Sequence, residues 1–153
     1  MYYAVVGFLM FGLPLLSMIA DAMLSSPQSA MFVIGKWYVF WAVGVRLLLA
    51  GFRQVVQPRY TAQVILGLKS DESLLLVREL GFANLAMGLS GLLSLIFPAW
   101  RVPVALAAGV FYGLAGGNHA LQPHRNRLEN VAMLTDLFAC AVLLVYFATE
   151  LLI

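Results

Sequence analysis

Five stretches of this chain are almost free of polar residues for about twenty positions each. They cover about residues 2–24, 30–52, 74–97, 102–121 and 128–153. At about 1.5 Å of rise per residue, a helix of that length crosses a hydrocarbon layer of about 30 Å. In lipid the backbone must satisfy itself, and these runs are too long for barrel strands, so all five are expected to be helices. Pro14 is expected to break the first helix and Pro58 to stop the second, since proline lacks the amide hydrogen and its ring crowds the preceding turn. Ser70 or Asp71 can cap the third helix, and Asn126 with Glu129 has the form of a capping box for the fifth. The links "SSPQS" and "PAWR" are short. The connection over residues 53–73 is long, and its "TAQVILGL" is suited to lie as an amphipathic turn along a membrane surface.

Composition points the same way. Of 153 residues, 63% are hydrophobic and 10% charged, against about 25% charged in a soluble domain. The mean hydropathy is +0.93. The expected fold is all-α, a single domain over residues 1–153 with five transmembrane helices and no separate soluble module. The net charge of +2 is slight, and no basic patch points to a nucleic-acid partner. Its distribution matters more. Arg53, Arg59, Lys69, Arg125 and Arg127 fall at one end of a five-span bundle, and Asp21, Arg101 and Glu150 at the other. The positive-inside rule then puts the N-terminus and the 53–73 connection in the cytoplasm and the C-terminus outside. No basic residue precedes the first run, so it is read as a helix rather than a signal peptide. Cys140 is the only cysteine, which excludes an intrachain disulfide and a CxxC redox pair.

Some polar residues sit inside the apolar runs. Arg46 lies in the second, Arg78, Glu79 and Asn84 in the third, Asn118 and His119 in the fourth, Glu129 and Asp136 in the fifth. By helical rise, all lie within about 15 Å of the cytoplasmic boundary. A charge facing lipid at mid-bilayer costs about 2.5–3.5 kcal/mol, so pairing inside the bundle is favoured. Arg46 is the obvious cation, with Asp136 or Glu79 as its acid. This set is the candidate ligand-binding pocket. The plainer reading is that the same groups only hold helices together.

Other features carry less chemistry. Gly81, Asn84, Gly88 and Gly91 form one stripe of small residues, and Ala105, Gly109, Gly113 and Gly117 another. Such stripes let helices approach closely, so tight contact of the third and fourth helices through Gly88 and Gly109 or Gly113 is expected. Trp37, Tyr38 and Trp41 are expected to form an interfacial belt in the outer leaflet. "GLAGGNH" lacks the preceding strand that a dinucleotide loop needs. His119, His124 and Glu129 make a weak metal constellation, so no metal and no cofactor are expected. No Ser-His-Asp or HExxH arrangement occurs, and the depth of Cys140 suits an inert thiol.

The strings "LAGFRQVVQPRYTAQVILG", "RELGFANLAMGLSGLLS", "FYGLAGGNHA" and "ENVAMLTDLF" resemble a family of small bacterial integral membrane proteins known only as a domain of unknown function. The resemblance runs from about Trp37 to Tyr146. It implies a bacterial source and hence the inner membrane, and brings no reaction, ligand or partner. A looser likeness to helical bundles of the DoxX type rests on size and topology alone. The function expected is a binding or interaction protein with a polar pocket in the cytoplasmic leaflet, for a lipid-like or small anionic ligand. In that pocket Arg46 and Arg78 would pair with anions, Glu79 and Asp136 would be their counter-charges, and Asn84 and His119 would form hydrogen bonds. An intramembrane enzyme or proton-coupled carrier is the alternative, and a structural subunit of a membrane complex the third reading. Membrane lipids are the expected partners, with a homo-oligomer left open.

Overall fold

The computed structural model describes residues 2–26 and 28–152, and these are helical almost throughout. Five helices are long and apolar enough to cross a membrane. They are α1 (Tyr2–Leu24), α2 (Ala30–Val56), α3 (Ser73–Leu93), α4 (Arg101–Leu121) and α5 (Arg127–Leu151).

Their ends and irregularities have local causes. α1 is not broken at Pro14. Residues Phe8–Gly12 widen into a π-helical turn just before it. A proline ring crowds the carbonyl four residues back, and a wider turn relieves that crowding, so the helix continues to Leu24. α2 runs past the expected Phe52 to Val56, where Pro58 stops it. α3 ends at Leu93 rather than near residue 97. There Ser94 Oγ donates to the Gly91 carbonyl at 2.7 Å, and the Ser94 carbonyl accepts from Arg101 Nε at 3.2 Å. These bonds turn the chain early, through a 3-10 turn at Pro98–Trp100, into α4. Neither Ser70 nor Asp71 caps α3 directly. The residue before the helix is Glu72, whose N–H is bonded by Ser70 Oγ at 3.2 Å.

α2 also contains a π-helical segment, Val39–Val45. In an α-helix the Arg46 N–H would bond the Ala42 carbonyl. Here it is shared between the Trp41 and Val43 carbonyls instead, and the Ala42 carbonyl accepts the Tyr112 hydroxyl from α4. The segment therefore joins two helices and delivers Arg46 at its end.

Packing divides the bundle into two tight pairs, α2 with α3 and α4 with α5. A Cβ added at Gly91 of α3 would lie 2.5 Å from the Gly44 nitrogen of α2, and one at Gly88 would lie 2.6 Å from the Leu48 nitrogen. On α4, a Cβ at Gly109 would meet Leu144, one at Gly113 Cys140, and one at Gly116 Leu137, each at 2.8 Å and each on α5. The expected tight α3–α4 contact is thus replaced by two others. Small stripes permit a close approach, but they do not choose the partner helix. Met10, Val39, Ala42, Val43, Ala108 and Leu143 are fully buried between the helices. Outward, Leu76, Phe82 and Leu114 are more than half exposed, an apolar surface suited to lipid.

Candidate functional site

Arg46 follows the π segment of α2 directly, and its guanidinium turns inward. Nη2 donates to Asp136 Oδ1 of α5 at 2.6 Å and to the neighbouring Thr135 Oγ1 at 3.1 Å. Nη1 lies 3.5 Å from Met10 Sδ of α1, and the group sits 5.0 Å from the Tyr112 ring centroid of α4. Four helices thus converge on one cation. Thr135 also bonds the Val131 carbonyl at 2.8 Å, which aims its lone pairs at Arg46. The two charged side chains are only 12% and 11% exposed. At that depth a pair is tolerated only when good geometry and extra hydrogen bonds offset the loss of water. Asp136 is therefore found deep in a lipid-length helix because Arg46 meets it there.

Two more polar contacts adjoin this pair. His119 Nδ1 of α4 lies 3.1 Å from Glu129 Oε1 of α5. Asn126 caps α5 by accepting from the Glu129 N–H at 2.9 Å. Glu129 does not close the capping box, because its carboxylate goes to His119. Arg125 Nη1 donates to the carbonyls of Ala120 at 2.8 Å and Gln122 at 2.6 Å, a cation at a helix C-terminus where the dipole favours it. Asn126 Nδ2 reaches the Ile65 carbonyl at 2.8 Å, tying the long connection to α5. On the far side, Asn84 Nδ2 of α3 donates to Gln54 Oε1 of α2 at 2.7 Å, and both residues are buried.

These groups border a cavity of about 470 Å³. Arg46, Gln54, Asn84, His119 and Asp136 supply its polar lining, and Val6, Leu9, Leu47, Leu80, Phe111 and Ala115 an apolar one. Tyr60, Thr61, Ile65 and Leu66 of the connection close one side. The Arg53 guanidinium lies 3.4 Å from the Tyr60 ring centroid. Of the lining residues, only Val5 of α1 and Leu49 of α2 are exposed, at 44% and 52%. At the opposite end of the bundle, Asp21 accepts from Lys36 Nζ at 2.7 Å, Ser25 Oγ at 2.6 Å and Trp37 Nε1 at 3.0 Å. That carboxylate is saturated by its neighbours.

The sequence matches a family of unknown function, DUF6790, from residue 3 to residue 153. The chain belongs to the DUF6790 family. No curated protein and no solved structure matches it. For this DUF6790 chain the chemistry must therefore be read from its own residues.

Of the sequence candidates, Arg46, Asn84, His119 and Asp136 line the cavity, and Glu129 stands behind His119. Arg78, Glu79 and Asn118 do not; all three are exposed. The buried stripe of α3 is Val77, Gly81, Asn84, Gly88 and Gly91. Residues one and two positions beyond Val77 are rotated by about 100° and 200° from that stripe. Arg78 is thus no anion-pairing group of this cavity, and Glu79 is not the acid that meets Arg46. Asn118 precedes His119 by one position and turns off its face in the same way. Of the weak metal constellation, His119 meets Glu129 while His124 is exposed. Among the described residues, no three His, Cys, Asp or Glu side chains come together as a metal site.

Of the aromatic set of α2, Tyr38 does not join a surface belt. Trp37 and Trp41 direct their indole N–H groups to Asp21 and, at 2.9 Å, to Ser17, both on α1, while Tyr38 is buried in the core. Gln54 and Thr135 are site residues that sequence reasoning missed. Gln54 does carry a signal, since Arg46, Ala50 and Gln54 are spaced four apart on one helix face. Tyr60 carries none, because the hydropathy of a connection does not say how it folds back.

Proposed function

We propose that this is a multi-pass membrane protein that binds an amphiphile drawn from one leaflet of the bilayer. The observation that supports this most directly is the cavity, which joins an apolar lining to a polar one. Its volume of about 470 Å³ lies within the range of about 300–1,000 Å³ usual for small-ligand sites. Its exposed lining residues, Val5 and Leu49, stand on neighbouring helices, which favours entry from lipid between α1 and α2. Arg46 is already answered by Asp136. A small free anion competing for it would strand the aspartate, so a lipid-like ligand is favoured over a free anion. All five helices of one chain contribute to the lining, so the cavity needs no second copy.

In this reading the whole chain acts as one domain in the bacterial inner membrane, the compartment implied by the sequence resemblance. The N-terminus and residues 53–73 face the cytoplasm, because the basic residues gather at that end. Membrane lipids are then the partners. A proton-coupled carrier is less favoured, since Met10, Val39, Val43 and Leu143, all apolar and fully buried, make up the core between the two polar ends.

Native mass spectrometry of the protein released from micelles tests the proposal. Ala115→Phe and Ala50→Phe each project a ring into the cavity. The unaltered protein is expected to carry a copurifying lipid. Both variants are expected to lose it while keeping their unfolding temperature within a few degrees. Equal lipid retention by all three proteins would overturn the proposal.

A further inference from the structure

Asn84 and Gln54 hold a hydrogen-bonding capacity that the protein leaves unused. Asn84 is 3% exposed and Gln54 8%. One bond joins their side chains, from Asn84 Nδ2 to Gln54 Oε1. The reciprocal bond, which would close a ring between the two amides, is absent. Asn84 Oδ1 is buried and has no partner among the described residues. Gln54 Nε2 makes no hydrogen bond to any other described residue. A buried acceptor without a donor is costly, and native structures rarely leave one so. Both residues line the cavity.

Of the acidic and basic side chains that line the cavity, Arg53 lies over the Tyr60 ring with no acid partner among the described residues, and the others are paired. Arg46 is paired with Asp136 and Thr135, and His119 with Glu129. What the two amides themselves lack is a neutral group. It must donate one hydrogen bond, to Asn84 Oδ1, and it can accept one, from Gln54 Nε2. A hydroxyl does both, while an ether or ester cannot donate. A phosphate would add negative charge beside Asp136.

We infer that the ligand of this cavity is a neutral lipid alcohol, whose hydroxyl bridges Asn84 and Gln54 while its hydrocarbon chain lies against Val6, Leu9 and Phe111. This rests on the amphiphile reading above and names the polar group that the site selects. Recognition by a hydroxyl also explains why two amides are buried at this depth without closing on each other. A site built to pair with a hydroxyl discriminates against an analogue that lacks the hydrogen, because its buried acceptor is then left unpaired.

The test uses three probes with the same chain, namely 1-tetradecanol, its methyl ether and tetradecyl phosphate. They are offered together to the protein in nanodiscs, and the bound fractions are read by native mass spectrometry. The alcohol is expected to exceed the ether by about tenfold, the worth of one hydrogen bond to a buried neutral group, and to exceed the phosphate as well. In the double variant Asn84→Leu with Gln54→Leu, the alcohol-to-ether ratio is expected to fall to about one. The double variant removes both amides together and so leaves neither stranded. The ratio is read on folded, ligand-bound protein, so a loss of stability does not mimic the effect. Equal binding of alcohol and ether by the unaltered protein would overturn the inference. Tightest binding of the phosphate would also overturn it. In either case the amphiphile reading would stand. Binding of none of the three would overturn both.

Discussion

Arg46 and Asp136 lie 2.6 Å apart with side chains 12% and 11% exposed, so their separation should have a measurable energetic signature. Two unit charges about 4 Å apart attract by about 4 kcal/mol at an effective dielectric constant of about 20. Removing one member of a buried pair typically costs about 3–5 kcal/mol, because the other is stranded. The two single changes are not equivalent. Asp136→Ala leaves a guanidinium that cannot lose its proton, held only by Thr135, Met10 and the Tyr112 ring. Arg46→Ala leaves a carboxyl that can take up a proton and become neutral. Asp136→Ala is therefore expected near the upper end of that range and Arg46→Ala near the lower end. The double variant strands nothing, and its loss should fall short of the sum by about 2–4 kcal/mol. Equilibrium unfolding in mixed micelles, followed by far-UV circular dichroism, gives the three values. Losses that add to within about 0.5 kcal/mol would refute the pairing as an energetic unit.

Other expectations follow from packing and exposure. Gly91→Ala would place its Cβ 2.5 Å from the Gly44 nitrogen. Backbone cannot yield there, so the overpacking cost of about 1–3 kcal/mol should exceed the helix-propensity gain of about 1 kcal/mol. Gly7→Ala, with nothing within 4 Å of the added atom, should be neutral or stabilising by up to about 1 kcal/mol; the same unfolding titration compares the two, and equal effects would show that the Gly44–Gly91 crossing is not tight. Glu79 is exposed, so Glu79→Ala should change stability by less than about 0.5 kcal/mol and show no coupling to Arg46→Ala; strong coupling would reassign the partner of Arg46. A reporter fused after the last residue should report the periplasm and one inserted at Lys69 the cytoplasm, and the reverse pattern would invert the proposed orientation.

The five helices were legible in the sequence because length and apolarity are local properties, and a backbone in lipid has few other options. The Arg46 pairing was half legible. A cation among apolar residues must be answered, which the sequence states. Whether Asp136 or Glu79 answers it depends on which face of each helix turns inward. For α3 that phase follows from Gly88 and Gly91 seating against Gly44 and Leu48 of α2, a contact between segments far apart in the chain. The same limit misdirected the glycine stripes toward an α3–α4 contact. A run of small residues announces a close approach, while the partner is chosen by how all five surfaces fit at once. The π segment of α2 was not legible at all, because it accompanies a hydrogen bond between the Ala42 carbonyl and Tyr112 of another helix. Gln54 and Asn84 are ordinary amides in the sequence. They became an unfilled hydrogen-bonding site only when α2 and α3 met, since whether a polar atom has a partner is a property of three-dimensional neighbours and not of neighbours along the chain.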